Sequence, residues 1–388
     1  MLWYDADLPG LDLSGLPNVM HFQGQGEVVV RSGFRATDTW VYLRSGPIYN
    51  GHQHDDQGNL LIEAHGGELF VENAGNGQGR SSNHNTLGVG GDQIEYGNNE
   101  VQHVQPIDGT SQGRGKVTEA HQSNEYTYVA TDFSNAYADG QVAPPKDGKV
   151  TREMVVILPD IVVVRDRVTG SSPIELLLHT WSGDATTDSG AQTITVVNGS
   201  GQGWVKTLLP ASAAIAQSSQ GATDLYTVTP NSPSASEVFL QVFYLSPSAN
   251  GYAPSDLSLI DEVSEQGAEL TDRNGDHWQV RFEKIGVGLA SVRKNDTPVP
   301  TDAGVATDAT PQPVDGASGQ DIASPSTDGG GSSRDSGAPG VDGSVGDGAI
   351  EDPSVGGTCG CRAVAKSAHG RAGSSFPVAF FLGMRVVR

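Results

Sequence analysis

Short segments of alternating apolar and polar residues dominate the first 300 residues of the chain, with Gly or Asn between many of them. Segments 27–31, 39–44, 60–64 and 68–72 are rich in β-branched and aromatic residues, the composition that favours strands. Similar segments follow at 125–131, 154–158, 161–164, 174–180, 237–244, 277–282 and 289–293. No segment combines a sustained helical periodicity with caps at both ends. The pattern predicts an all-β fold, a large antiparallel multi-strand β-sandwich over residues 21–298.

The composition changes abruptly after this region. Residues 301–358 contain ten acidic residues, one Arg and no aromatic residue, so they lack the apolar surface that would offset the entropy of ordering them. We predict a disordered Gly/Ser/Pro/Asp-rich linker over 299–357 and a separate C-terminal segment over 358–388. Residues 359–388 hold five basic residues and no acid, so residues 1–300 carry −19 of the total charge of −23.

This charge excludes one large class of partner. Proteins that wrap nucleic acid draw much of their affinity from neutralising phosphates, and the chain has 23 basic residues against 46 acidic ones without a basic arm. We expect no nucleic-acid partner. Two cysteines in 388 residues also exclude a disulfide framework as the main source of stability.

Residue types that carry chemistry concentrate between positions 50 and 86. His52 and His54 are two residues apart and would face the same side of a strand, and His84 adds a third imidazole thirty residues after the second. Two or three imidazoles with one oxygen ligand suit Zn²⁺. The available oxygen donors are Asp55, Asp56, Glu72 and Asn73. A His-x-His pair in a Gly/Asn-rich loop is equally typical of a solvated turn, so the spacing alone leaves both interpretations open.

Three segments in this region also resemble a known family when they are taken in order. They read GHQHDDQGN at 51–59, ENAG at 72–75 and NHNT at 83–86, and together they resemble the signature of the heparinase II/III-like polysaccharide lyases. The flanking VRSG at 30–33, VTRE at 150–153, LPD at 158–160 and DRV at 166–168 are similar to the sandwich of that family. The resemblance covers residues 20–182 and fades towards 298.

The resemblance implies a role for each matched position. His52 would lie in the cleft and help to neutralise or deprotonate a uronic acid, as the catalytic residue. His54, Asn73 and His84 would bind a structural zinc ion that fixes the loops of the site. Asn73 departs from the family's usual Asp, and a neutral carboxamide is a poorer zinc ligand because it offsets none of the ion's charge. Glu72 would point to the opposite face of a regular strand and would substitute only at a bulge.

The reaction implied by the resemblance is β-elimination on a uronic-acid-containing polysaccharide, alginate or glycosaminoglycan-like. In this family a helical toroid precedes the sandwich and supplies an acid or base tyrosine. We interpret residues 1–20 as the remnant of the linker from such a toroid, and we expect weak activity or none from the chain alone because proximity supplies a large share of rate enhancement.

Two other functions agree with parts of the sequence. A cupin also places His-x-His on a strand of a small β-barrel, but Gln57, Gly58 and Asn59 occupy the region where that family has a Glu. A non-catalytic cell-surface carbohydrate-binding sandwich would retain His52 without using it.

The two ends of the chain bear on location. Residues 1–5 have neither the positive nor the apolar region of a signal peptide, and we interpret the chain as N-terminally truncated. The C-terminal segment, with Cys359 and Cys361 before a short apolar run and basic residues, resembles a degenerate copy of the sorting signal of myxobacterial surface proteins. The resemblance implies a secreted or surface-displayed protein of a Gram-negative bacterium that meets the membrane only through this segment. The alternative for the cysteines is an unstructured thiol pair.

Other candidates are weaker. Asp160 and Asp166 near a predicted strand turn could be paired carboxylates, but the flanking arginines favour a structural hairpin with exposed charge pairs. His179 lies two residues before Trp181. It could contact a sugar, or equally it could be a core histidine beside a buried Trp.

Overall fold

The computed structural model describes residues 13, 15–47, 54–73, 80–90, 93, 115–137, 148–170, 173–252, 254, 256–286, 288–300, 303–304 and 306–307. These residues contain strands and short 3₁₀ turns and no α-helix, which confirms the predicted all-β class. None of their helical turns is long and apolar enough to cross a membrane. The chain divides into two units, Met1–Asp315 and Gly316–Arg388, and every described residue belongs to the first. The tail, with Cys359 and Cys361, nearly all of the predicted linker and more than half of the predicted N-terminal remnant lie outside the described residues, so the domain boundaries stay predictions.

The described strands form four sheets. The first sheet has the order β24-β1-β2-β3-β4-β5 and contains β1 (Val19–Phe22), β2 (Glu27–Arg31), β3 (Trp40–Arg44), β4 (Asn59–Ala64), β5 (Gly67–Phe70) and β24 (Ala306–Thr307). The central sheet has the order β12-β13-β14-β17-β10-β9-β8-β7-β23. Its strands are β7 (Lys116–Gln122), β8 (Thr127–Asp132), β9 (Lys149–Ile157), β10 (Ile161–Thr169), β12 (Ala185–Asp188), β13 (Thr193–Asn198), β14 (Gly201–Leu209), β17 (Ser236–Pro247) and β23 (Ala303–Gly304).

Two smaller sheets complete the arrangement. The small sheet has the order β15-β16-β11-β6 and contains β6 (Leu87–Val89), β11 (Ile174–Trp181), β15 (Ala213–Gln220) and β16 (Thr223–Pro230). The outer sheet follows chain order and contains β18 (Ser258–Asp261), β19 (Glu265–Thr271), β20 (His277–Glu283), β21 (Ser291–Lys294) and β22 (Thr297–Pro298).

Two hydrophobic cores lie on opposite faces of the central sheet. Val162 and Val164 of β10 belong to the core shared with the first and small sheets, whereas Ile161 and Val163 belong to the core shared with the outer sheet. Because successive side chains of a strand point to opposite faces, a strand covered on both sides needs an almost unbroken apolar run. The run IVVV at the start of β10 meets that need.

The same double coverage overturns one expectation from the sequence. Strands β9 and β10 form the predicted hairpin, but Asp166 is 0% exposed and Asp160 only 8%, so their charge pairs are not exposed ones. Asp166 pairs with Arg152, and Asp160 contacts His65 and Arg273. In the middle of a strand buried on both faces, a charged side chain has no route to water and must find its partner inside.

Strand β5 is shorter than the sequence indicates. The alternating pattern predicts a strand over 68–72, whereas the structure ends it at Phe70. Residues 71–73 continue as irregular chain, which changes the direction in which Glu72 points.

Candidate functional site

Three chain segments meet where the first sheet adjoins the small sheet. Residues 54–58 lead from β3 into β4, residues 71–73 follow β5, and residues 84–86 lead from the 3₁₀ turn Ser81–Asn83 into β6. The backbone N–H of Asn73 donates to the carbonyl of Asn83 at 2.8 Å. The described parts of the three segments that resemble the lyase signature therefore converge in space, although other residues separate them in the sequence.

Asn85 joins these segments through its side chain. It is 0% exposed, and its Nδ2 donates to the carbonyls of Leu60 (2.7 Å) and Val71 (2.9 Å). Its Oδ1 accepts from the backbone N–H of His179 at 2.6 Å. A carboxamide has both donors and acceptors, so this one side chain bonds to β4 of the first sheet, β11 of the small sheet and the irregular segment that follows β5.

His84 is held in a fixed orientation at the centre of the site. Its side chain is fully buried, and its Nδ1 lies 3.0 Å from Oε2 of Glu72, which also accepts from Nδ2 of Asn59 at 2.7 Å. Among the described residues its Nε2 is buried without a hydrogen-bond partner. The ring of His54 lies beside it, with the ring centroids 5.1 Å apart and the planes tilted by 39°. The two imidazole rings therefore lie next to each other, and the carboxylate of Glu72 fixes the orientation of His84.

Electrostatics favour an ionised Glu72 beside a neutral His54. Burial alone would raise the pKa of Glu72, but hydrogen bonds and charge from His84, the bond from Asn59 and the charge on His54 outweigh burial and hold the pKa below its ordinary value. Burial, followed by the neighbouring His84, lowers the pKa of His54, against the opposing effects of Asp56 and Glu72. Neutral imidazole is the form that binds a metal ion.

These side chains meet part of what a zinc site requires. Metal-binding histidines almost always donate their other ring nitrogen to a carboxylate or carbonyl, and the Glu72–His84 pair has this arrangement with the second nitrogen of His84 left free. The side chain of Asn73 bonds to other groups than the two imidazoles: its amide nitrogen lies 3.3 Å from Gln220 Oε1 and 3.4 Å from Asn83 Oδ1. Within the described residues, no group of three or more His, Cys, Asp or Glu side chains has the geometry of a metal site.

The sequence-predicted residues are thus only partly brought together. His54 and His84 are in ring contact, whereas Glu72 rather than Asn73 touches His84. Glu72 reaches His84 without the bulge that the sequence seemed to require, because β5 ends two residues earlier. His52 lies outside the described residues, and its catalytic role stays a prediction.

A buried arginine, Arg152, stabilises the backbone of the site. Arg152 on β9 forms a two-pronged ion pair with Asp166, with Nε to Oδ1 at 2.6 Å and Nη2 to Oδ2 at 2.9 Å. Its Nη1 donates to the carbonyls of Gly58 and, at 2.9 Å, Asn85. One guanidinium therefore fixes the backbone of two of the three site segments.

Residue composition alone does not predict the Arg152–Asp166 ion pair, but the register of the β9–β10 hairpin does. Arg152 and Asp166 lie seven residues on either side of Pro159, so a hairpin that turns at Pro159 pairs them directly. Opposite charges on directly paired positions attract, which is the cross-strand rule for antiparallel sheets.

His179 is a core histidine rather than a sugar contact. It is 0% exposed, and its Nε2 lies 3.0 Å from the carbonyl of Ser82. Trp181 is only half-buried, and its indole N–H donates to Glu68 at 2.7 Å.

Solved structures with a similar fold include a heparinase III and a heparan sulfate lyase. A heparinase III gene product with methylated lysines superposes with a TM-score of 0.51 at 16% identity, over 69% of this chain and 42% of its own. The heparan sulfate lyase HepC from Pedobacter heparinus superposes with a TM-score of 0.53 at 12% identity, again over 69% of this chain and 42% of its own. No family model matches the sequence, and no curated protein matches it. At these identities the likeness establishes the fold, and the chain spans less than half the length of these lyases.

Proposed function

We propose that the sandwich binds an acidic, uronate-containing polysaccharide and contributes one wall of a polysaccharide lyase site. The observation that carries the proposal is the oriented His84, whose buried Nε2 has no hydrogen-bond partner among the described residues and whose ring centroid lies 5.1 Å from that of His54, two residues after His52 in the sequence. The solved neighbours are a heparinase and a heparan sulfate lyase, which supports a glycosaminoglycan-type ligand.

The proposed reaction is β-elimination. A base removes the proton from C5 of the uronate, the electron pair forms the C4–C5 double bond, and the C4–O4 bond breaks as O4 takes up a proton. The C5 proton is weakly acidic, so the site must neutralise the carboxylate and position an acid and a base. We assign deprotonation or neutralisation to His52. The other groups would come from the part of a lyase that this chain does not span, so elimination by the chain alone is expected to be slow.

We also propose that His54 and His84 hold a zinc ion, with Glu72 as the residue that orients His84. When bound, the ion would fix the loops of the site and add positive charge beside an acidic polymer. Asn73 stays a predicted third ligand. Zinc titration of the wild type, His84→Ala and Asn73→Ala, followed by calorimetry, tests the ligand set, with His121→Ala as the control because His121 lies on β7 and pairs with Glu119. Equal affinity in the wild type and His84→Ala contradicts the site.

The lyase proposal is tested by the ultraviolet absorbance of unsaturated uronates after alginate or heparan sulfate is added. We expect a slow rise that His52→Ala abolishes. Acidic-polysaccharide binding without any rise, unchanged in His52→Ala, would instead establish the non-catalytic binding module. A cupin does not agree with the observed topology, since cupins are jelly rolls of two sheets and eight strands, whereas the described strands form four sheets of six, nine, four and five strands.

We further propose that the protein acts at the cell surface or outside the cell, on the resemblance of the C-terminal segment to a sorting signal. Mass spectrometry of the native protein tests this, because an intact C-terminus in the cytoplasm contradicts export.

A further inference from the structure

The outer face of the first sheet contains polar and aromatic side chains that the proposed site does not use. The inner face of β2 and β3 is fully buried, with Val28, Val30, Val41 and Leu43 all at 0% exposure. On the opposite face, Arg31 of β2 pairs in register with Trp40 of β3, and Trp40 pairs in register with Glu63 of β4. All three side chains on this face are half-buried and open to solvent.

Arg31 is a cation without an anionic partner. Within the described residues it forms no ion pair, its Nε is buried without a hydrogen-bond partner, and its guanidinium lies 4.6 Å from the ring centre of Phe34. Burial lowers the pKa of Arg31, and no neighbouring carboxylate counters the effect. Since Arg31 is open to solvent and has no acid beside it among the described residues, its guanidinium is available to an anionic ligand, which it can bind through charge-assisted hydrogen bonds.

Trp40 supplies an apolar surface next to this charge. Its ring and that of Tyr42 have centroids 5.6 Å apart and nearly parallel planes, 11° from each other. Tyr42 is fixed by a hydrogen bond with Glu27, and burial raises the pKa of both groups. Trp40 is thus an amphipathic ring on a rigid strand, with an indole N–H that has no partner among the described residues.

Glu63 lies on the other side of Trp40 from Arg31. Directly paired residues on neighbouring strands are about 5 Å apart, so the two charges flank the indole at roughly twice that spacing and do not pair with each other. Burial, followed by the charge on Glu68, raises the pKa of Glu63. An aromatic ring between a donor and an acceptor suits a ring-shaped polar ligand with an anionic substituent.

We propose that Arg31, Trp40 and Glu63 form a binding subsite for an acidic sugar residue. Arg31 would bind the carboxylate or sulfate group, Trp40 would pack against the C–H face of the pyranose, and Glu63 would accept a hydrogen bond from a hydroxyl. The inference rests on the proposed function in one respect, that the bound polymer is acidic.

The subsite and the histidine site share one strand. Trp40 begins β3 and Arg44 ends it, a distance of about 14 Å at about 3.4 Å per residue. Arg44 pairs with Asp56 at 2.6 Å, two residues from His54. A polysaccharide lying along β3 would therefore contact both sites, with the subsite holding sugars away from the reacting bond.

The test is calorimetric titration of the full chain with hexasaccharides of alginate, heparan sulfate and cellulose. We expect Arg31→Gln to weaken binding of both acidic ligands about tenfold, the effect of one charge-assisted hydrogen bond, and to leave cellohexaose unchanged. Trp40→Ala should weaken all three, and Trp40→Phe should restore part of the loss. Lys294→Gln is the matched control, because it also removes one positive charge beside a tryptophan ring, on the outer sheet.

Three results of the binding and association measurements would overturn the subsite. The first is wild-type affinity in both Arg31→Gln and Trp40→Ala, and the second is an equal loss in Lys294→Gln, which would show a general charge effect. The third is self-association of the chain that Trp40→Ala abolishes, which would make this face an interface between copies. Elimination that survives Arg31→Gln and Trp40→Ala with unchanged KM contradicts the subsite alone. Binding that depends on Arg31 and Trp40, without any elimination, supports the subsite and contradicts the lyase reaction.

Discussion

The β9–β10 hairpin contains two buried arginine–carboxylate pairs that face opposite ways. Arg152 and Asp166 point towards the first and small sheets, where Arg152 donates to the carbonyls of Gly58 and Asn85. Arg165 and Glu153 point towards the outer sheet, where Arg165 donates to the carbonyl of Glu283 at 2.8 Å. All four side chains are at most 1% exposed.

The two pairs have the same chemistry and different consequences. The pair on the outer side joins two layers through one carbonyl and through Tyr128, whose hydroxyl donates to Glu153 at 2.9 Å. The pair on the site side fixes two segments that also contain His54 and His84. The Arg165–Glu153 pair therefore stabilises the packing of two sheets, whereas the Arg152–Asp166 pair also positions the site. The difference arises because the two arginines donate to different backbone segments.

The largest expected effect concerns both pairs. Asp166→Ala and Glu153→Ala should each lower the free energy of unfolding by about 3–5 kcal/mol in urea titrations, because each leaves a buried guanidinium unpaired. Only Asp166→Ala should also weaken zinc binding, since Arg152 then loses its orientation towards the site. Equal loss of zinc affinity in Glu153→Ala would contradict the difference between the two faces.

The site side should also respond to pH. Burial lowers the pKa of His179 to about 4, below the ordinary value of 6.5 that the unfolded chain shows. As pH falls from about 6.5 to about 4, protons bind the unfolded state first, so stability present at neutral pH is lost over that window, by up to about 3 kcal/mol. Unfolding of the wild type and His179→Gln between pH 7 and pH 4 measures this, with His121→Gln as the control. If the free energy of unfolding of His179→Gln fell with decreasing pH as steeply as that of the wild type, His179 would not be the cause of the pH dependence.

A smaller effect is expected at the carboxylate that orients His84. Glu72→Gln should lower zinc affinity about 10 to 100-fold, the usual cost of losing the partner of a metal-binding histidine. Glu68→Gln is the matched control, because Glu68 lies on β5, just before Glu72 in the chain, and accepts a hydrogen bond from Trp181 instead of contacting His84. Unchanged affinity in Glu72→Gln would show that His84 does not need this orientation.

The smallest expected effect lies on the outer side. Tyr128→Phe removes a hydroxyl whose oxygen lies 2.9 Å from Oε1 of Glu153 and 2.6 Å from the carbonyl oxygen of Gly288, and whose single proton is shared between these two acceptors. Stability should fall by about 1 kcal/mol, with zinc affinity unchanged. A change in zinc affinity would show that the two faces of the hairpin are coupled.

The alternating pattern identified part of the strand set, and burial does not separate the strands that it found from those that it missed, since it missed β16, most of whose residues are buried. It identified β2 with the observed bounds and the β9–β10 hairpin with its turn. It did not identify β15, whose residues AAIAQSSQ lie mostly exposed at the edge of the small sheet and need little apolar character. Strand ends were also less certain, because the end of β5 depends on contacts with the small sheet rather than on local sequence.

The sequence by itself determined the all-β class, the β9–β10 hairpin and the set of imidazoles, because these follow from residue type and spacing. Only the tertiary structure decided that Glu72 rather than Asn73 touches His84, that Asp166 is buried, and that no acid among the described residues pairs with Arg31. Each of these depends on which segments meet across sheets, and the pairing of distant strands is not contained in any local pattern. The physical reason is that the free energy of a charged group depends on its neighbours in space and on its access to water.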